Sequence, residues 1–252
     1  MSREWRSAWV TGASQGIGRA LALALAETGA RVAISARSAD VLTELAQLAP
    51  TLGPEALDVT DAAAVAAALD RIEQRQGPLD LVVLNAGVYQ PLPGGVAGPE
   101  VFAEHMAVNY LGVVNGLCAV LPRMRARGSG QVAIVGSVAG YRGLPQAAAY
   151  GPTKAALINL AETLRLELLG SGVDLRLVNP GFVATRLTAK NRFAMPSILT
   201  PEDAAQRIVR GLQGDRFEIA FPSAFAAAMK VLRLLPYRLY FPLVARLTGL
   251  RR

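Results

Sequence analysis

Along the chain, apolar runs of strand length alternate with longer stretches whose apolar residues recur every three or four positions. The short runs predict strands over Ser7–Thr11, Arg31–Ser35, Glu55–Asp58, Leu79–Leu84, Gln131–Val135, Asp174–Val178 and Phe217–Phe221. The longer stretches predict helices at about 17–28, 39–48, 61–76, 100–127, 150–170 and 201–213. Strands that are apolar throughout suit a parallel sheet covered on both faces, and their alternation with helices calls for right-handed crossovers. The predicted fold is α/β: a doubly wound parallel sheet of seven strands with helices on both faces. Local signals agree. Asp61 can cap one helix, Thr200-Pro201-Glu202 can start another, and Gly29, Gly77 and Gly172 punctuate helix ends.

Composition adds bounds. The chain has 252 residues, 52% of them hydrophobic, with no repeat or low-complexity break, so residues 1–222 read as one domain. The net charge of +7 suggests nucleic acid until it is located. Residues 223–252 hold Lys230, Arg233, Arg238, Arg246, Arg251 and Arg252 and no acid, which leaves 20 basic against 19 acidic residues elsewhere. The basicity belongs to a tail, and diffuse nucleic-acid binding by the domain is not expected. One cysteine, Cys118, excludes an internal disulfide and reads as a small core residue. The N-terminal residues lack the layout of a secretory signal, so a cytoplasmic protein is expected. One histidine and one cysteine give no metal-binding cluster.

Chemistry enters at Thr11-Gly12-Ala13-Ser14-Gln15-Gly16-Ile17-Gly18, between the first strand and an Ala/Leu-rich helix. Glycines there permit a tight turn and the close approach of a pyrophosphate, whose charge sits at the helix N-terminus. The second strand ends in Ser35-Ala36-Arg37-Ser38. An acid at that point would bind the adenosine ribose of NAD, whereas an arginine suits the 2′-phosphate of NADP. NADP is therefore expected over NAD.

Tyr150-Gly151-Pro152-Thr153-Lys154 opens a helix with two ionisable groups at i and i+4, on one face. A nearby ammonium favours the phenolate and would lower the tyrosine pKa. Ser137, just beyond the fifth strand, can converge on Tyr150, because ligands bind at the carboxyl ends of such strands.

These elements, with Asp58-Val59, Asn85-Ala86-Gly87, Asn109 and Asn179-Pro180-Gly181, occur in the order and spacing of one family. Over residues 7–221 the chain resembles a Rossmann-type short-chain dehydrogenase/reductase of the compact single-domain kind. The resemblance implies Tyr150 as acid/base, Ser137 positioning a carbonyl, and Lys154 binding the nicotinamide ribose. Asn109 would help hold a water linking Lys154 to solvent. It further implies that Gly12, Ser14, Gln15, Gly16, Ile17 and Gly18 hold the pyrophosphate. Asp58 and Val59 would flank the adenine, and Asn85, Ala86 and Gly87 would line the cleft. Pro180, Gly181, Val183 and Thr185 would cover the nicotinamide. A homodimer or homotetramer is implied too. Two positions depart from the pattern: Leu84 stands where an Asn is common, and Gln15 where NADP-preferring members are often basic.

The substrate side reads as apolar, with Tyr141, Leu144, Phe182, Leu187, Phe193, Met195 and Leu199, and Arg142, Arg186 and Arg192 nearby. A small hydrophobic ketone, aldehyde, ketoacyl compound or alcohol fits better than a charged acid. His105 reads as a surface or packing residue. The tail mixes Leu, Phe and Tyr with basic residues; its longest charge-free run, Ile219–Met229, is far short of the ~20 residues a bilayer requires. Packing on the domain or on a second subunit is expected of it, with peripheral contact at an anionic membrane as the alternative. The function expected is an NADP(H)-dependent oxidoreductase. A non-catalytic NADP-binding regulatory protein is the second reading.

Overall fold

The computed structural model describes residues 4–249 apart from Arg192 and Ala194. Seven strands form one sheet: β1 (Ser7–Thr11), β2 (Arg31–Ala36), β3 (Leu52–Ala56), β4 (Leu81–Leu84), β5 (Gly130–Val135), β6 (Val173–Pro180) and β7 (Glu218–Phe221). Every neighbouring pair is parallel, in the order β3-β2-β1-β4-β5-β6-β7. The chain moves outward from β1 to β3, returns, and moves the other way from β4 to β7. The switch falls between β1 and β4, and a crevice at the carboxyl ends there is where such sheets bind ligands.

Side-chain alternation along the strands divides two cores. Val10, Ile34, Val83 and Val135 pack against α1 (Gly16–Glu27), α2 (Ala39–Ala46) and α7 (Pro201–Gln213). Trp9, Ala33, Val82, Leu84 and Ile134 face the opposite layer, made by α3 (Ala62–Gln76), α5 (Gly112–Arg127) and α6 (Tyr150–Glu167). Both faces are buried, which is why the strands read as continuous apolar runs. The expected caps form: Asp61 accepts from the Ala64 amide at 2.9 Å and Thr200 from the Asp203 amide at 3.0 Å.

Three expectations shift. β3 begins at Leu52 rather than Glu55, with Pro54 beside Ile34. Gly53 and Pro54 look like turn residues, but on an edge strand the missing proline N–H costs no ladder bond. The helix expected at 100–127 is broken into α4 (Pro99–Met106), a π-turn (Ala107–Leu111) and α5. In that turn the Gly112 amide reaches back five residues to the Ala107 carbonyl. Cys118 is exposed, because α5 turns Val113, Leu117, Val120 and Met124 inward and leaves Cys118 on the other face. The stretch Pro99–Arg127 is long and apolar enough to cross a membrane by composition, yet those four residues lie in the core.

The tail folds as α8 (Ser223–Leu234) and α9 (Tyr237–Leu247), divided at Leu235-Pro236. Ala226 and Met229 of α8 join the second core. Arg142 clasps the junction: the two hydrogens of its Nη1 are shared among the carbonyls of Leu232, Arg233 and Leu235, at 2.7, 2.9 and 2.6 Å. Its guanidinium lies 3.9 Å from the Tyr240 ring centroid, and the Tyr240 hydroxyl donates to the Gly143 carbonyl. Arg251 and Arg252 lie outside the described residues.

Candidate active site

A cavity of about 1140 Å³ opens at the switch point. That exceeds the ~300–1,000 Å³ common for a single drug-sized ligand, which leaves room for a dinucleotide and a second molecule. One end is built by the β1–α1 turn. Gly12 has φ +68°, and a side chain there would meet Ala86 Cα at 2.7 Å. A Cβ on Gly18 would come within 2.3 Å of the Gly12 carbonyl oxygen. Asn85 ties the turn to β4, its Nδ2 donating to the carbonyls of Thr11 and Gly12 at 3.0 and 3.2 Å. No side chain caps α1 at Gln15, and its first turn holds no acid. Its amides therefore point into the cavity with their partial positive charge free for an anion.

Further round the wall stand Arg37, Ser38, Asp58 and Val59. Asp58 is the only carboxylate among the described lining residues. Hydrogen bonds from the Thr60 amide and hydroxyl (2.9 and 2.8 Å) hold it below the usual carboxylate range, with Arg37 adding attraction. The turn donors, the charge pattern and the crowded glycines fit a nicotinamide dinucleotide.

The wall continues to Ser137, Tyr150 and Lys154. Ser137 follows β5 and caps a short 3-10 turn, accepting from the Ala139 amide at 3.1 Å. Tyr150 is the first residue of α6, and Lys154 lies one turn on. Lys154 Nζ is buried, donates to the Val135 carbonyl at 2.8 Å, and lies 5.7 Å from the Tyr150 ring centroid. Desolvation lowers its pKa to about 8. The expected lowering of the tyrosine is not what the structure gives. Burial pushes the Tyr150 phenol up to about 12, and hydrogen bonding from Ser137 offsets only part of this. The Lys154 ammonium is turned to a backbone carbonyl, and desolvation of the phenol outweighs its bond with Ser137.

Asn109 is not on the cavity wall. It is fully buried in the π-turn, accepting from the Val88 amide at 2.7 Å and donating to the Val88 carbonyl at 3.0 Å. It also donates to Thr153 Oγ1 at 3.1 Å, which in turn donates to the Tyr150 carbonyl at 2.7 Å. The side chain thereby fixes the first turn of α6 against the exit of β4. The other residues expected to bind cofactor, including Ala86, Gly87, Pro180, Gly181, Val183 and Thr185, all line the cavity.

The apolar end of the cavity departs further from expectation. Leu144, Phe182, Leu187 and Phe193 line it, joined by Phe225, Met229, Leu232 and Val244 from α8 and α9. Tyr141 points away: it is buried and donates to Glu218, which also accepts from Asn179 Nδ2 at 2.7 Å and pairs with Lys230. Burial and the Glu218 charge raise the Tyr141 phenol well above its ordinary value. Burial alone would raise Glu218, but bonds from Lys230, Tyr141 and Asn179 hold it below the usual range. Met195 and Leu199 are not among the lining residues; Leu199 bridges to Val183. Arg142 belongs to the α8–α9 junction, and Arg192 lies outside the described residues. Arg186 stands instead by the glycine turn, 3.5 Å from Gln15 Oε1. His105 is buried, between the Val101 carbonyl at 2.7 Å and the Gln90 amide at 3.1 Å, so packing is its role.

Tyr89 escaped the sequence reading. Its ring meets that of Tyr150 edge-on at 5.0 Å, and its hydroxyl donates to Asn191 Oδ1 at 2.7 Å. Its position two residues after Asn85-Ala86-Gly87, beyond a strand end in the cleft, was the available signal.

Residues 6–195 match the family model described as short chain dehydrogenase. The chain belongs to the short-chain dehydrogenase/reductase family. Over 252 residues it is 38% identical to an uncharacterized oxidoreductase of Myxococcus xanthus, covering 96% of this chain and 98% of that protein. An alcohol dehydrogenase from Thermococcus sibiricus, solved with 5-hydroxy-NADP, superposes with TM-score 0.75 at 30% identity, covering 86% of this chain and 95% of that one. A short-chain dehydrogenase/reductase from Burkholderia phymatum, solved with NAD, superposes at 0.82 with 23% identity, covering 91% and 93%, and speaks for the fold. The protein is thus an oxidoreductase whose fold binds a nicotinamide cofactor.

Proposed function

We propose that this short-chain dehydrogenase/reductase reduces a hydrophobic ketone, aldehyde or ketoacyl carbonyl with NADPH, or oxidises the corresponding alcohol. The observation that carries the reading is one continuous cavity, with the glycine turn at one end, an apolar pocket at the other, and Ser137 and Tyr150 between them. Gly12 to Gly18 and the α1 amides would hold the pyrophosphate, with Arg186 adding a cation beside Gln15. Arg37 would pair with the 2′-phosphate, since the end of β2 offers no acid to a free ribose hydroxyl. Asp58, held by Thr60, would flank the adenine.

The bound nicotinamide would supply or accept the hydride. Ser137 donates a hydrogen bond to the carbonyl oxygen, and Tyr150 gives that oxygen its proton. The phenol carries its proton at neutral pH, as a donor to the carbonyl oxygen requires. Lys154 would bind the ribose hydroxyls, and Asn109, acting through Thr153 and the backbone, holds the helix that carries both groups. The reading includes a homodimer or homotetramer in the cytoplasm.

A carbonyl panel followed by NADPH absorbance tests it. Tyr150→Phe should lose about 10²–10⁴-fold in turnover with cofactor binding nearly intact. Near-parental turnover in that variant would place the acid elsewhere. A parent that binds NADPH and reduces nothing across the panel would favour a regulatory protein.

A further inference from the structure

Seven of the sixteen large apolar side chains left exposed among the described residues fall within residues 231–247: Val231, Leu234, Tyr237, Leu239, Phe241, Leu243 and Leu247. Interspersed with them are the exposed Arg233, Arg238 and Arg246. Lys230 is committed to Glu218, and residues 223–249 contain no Asp or Glu. The surface of α8 and α9 is therefore apolar and cationic at once. Arginine stems can lie along apolar surface while their guanidinium groups reach phosphates, the composition of helices that rest at a lipid interface.

A second copy of the chain is a poorer occupant. A two-fold contact through this face would set the same arginines against each other, with no carboxylate in the segment to answer them. The cavity supplies an independent observation. Its apolar end is walled by Phe225, Met229, Leu232 and Val244, and Leu247 both lines it and is 69% exposed. The pocket thus opens beside the same surface.

We propose that α8 and α9 dock on an anionic lipid surface, and that the cavity takes its apolar substrate from that surface. The second half rests on the carbonyl-reductase reading of the cleft; the docking itself does not. Docking leaves the Ser137–Tyr150 end of the cavity in protein and turns the Leu247 rim toward the acyl region.

Flotation of the full chain tests the idea, with vesicles of phosphatidylcholine alone or mixed equally with phosphatidylglycerol. The protein should float with the anionic vesicles, stay behind with the neutral ones, and be released by salt. A basic residue near such a surface contributes about fivefold in binding, so Arg238→Gln with Arg246→Gln should weaken it ~30-fold. Leu234→Glu with Phe241→Glu should abolish it. Neither pair lines the cavity, so reduction of a water-soluble carbonyl should be unchanged, while KM for a vesicle-borne carbonyl rises. The arginine pair leaves packing intact and serves if the glutamate pair does not fold. Protein that stays behind with anionic vesicles, or floats regardless of both variants, overturns the proposal. So does a dimer that the glutamate pair splits into monomers by light scattering, because a second copy then covers the face. Flotation without turnover on any carbonyl would defeat the reductase reading and the substrate route while leaving the docking in place.

Discussion

Replacing Lys154 by methionine should stabilise the cofactor-free protein while removing its activity. The buried ammonium donates to the Val135 carbonyl at 2.8 Å, and burial lowers its pKa from 10.5 to about 8. The folded chain holds this proton less tightly than the unfolded chain. Between about 8 and 10.5 the unfolded state binds more protons, so this group's contribution to stability rises with pH across that window. Below about 8 the full penalty is present, on the order of 3 kcal/mol. Methionine removes the penalty and leaves the Val135 carbonyl without its donor, at a cost of about 1 kcal/mol. The net gain is about 2 kcal/mol, a rise in Tm of roughly 4–8 °C for a chain of this size. Calorimetry without cofactor at pH 7 and pH 10 measures it, and the advantage of the variant should shrink at the higher pH. A variant melting below the parent, or a gap indifferent to pH, would refute the reasoning. Stability given up at Lys154 is the expected signature of a group kept for binding rather than for folding.

Arg37→Ala should lower kcat/KM with NADPH by about 10–100-fold and leave NADH nearly unaffected, since only the phosphate pair is lost; equal losses with both cofactors would remove Arg37 from specificity. Gly18→Ala places a methyl 2.3 Å from the Gly12 carbonyl oxygen, so a shift of the β1–α1 turn costing about 1–3 kcal/mol and weaker dinucleotide binding should appear by thermal shift. Arg142→Ala removes the donor to three carbonyls at the α8–α9 junction and should expose Leu235–Pro236 to limited proteolysis, with about 2 kcal/mol lost in denaturant titration. Light scattering at micromolar concentration should give a dimer or tetramer mass, and a monomer would count against the assembly proposed.

The sequence alone determined the sheet and the position of its cleft. Seven apolar runs separated by helical periodicity leave little besides a doubly wound sheet, because strands buried on both faces need helices on both sides. Gly12, Gly16 and Gly18 were legible because Gly12 and Gly16 take positive φ (+68° and +56°) and Gly12 and Gly18 lie against backbone, and Tyr150 and Lys154 because a four-residue spacing fixes a helical face. Tertiary structure decided what depends on neighbours distant in the chain. Pro54 lies in a strand because that strand is at the edge. Asn109 serves Val88 and Thr153, 21 and 44 residues away, and no local pattern carries such partners. Tyr141 and Arg142 adjoin the Ser137 turn in sequence, yet Glu218 and the end of α8 draw both away from the cavity. Even the ionisation of Tyr150 reversed expectation. Spacing placed a cation one turn away, but the direction of the ammonium and the burial of the phenol are properties of the folded packing, and these set the pKa.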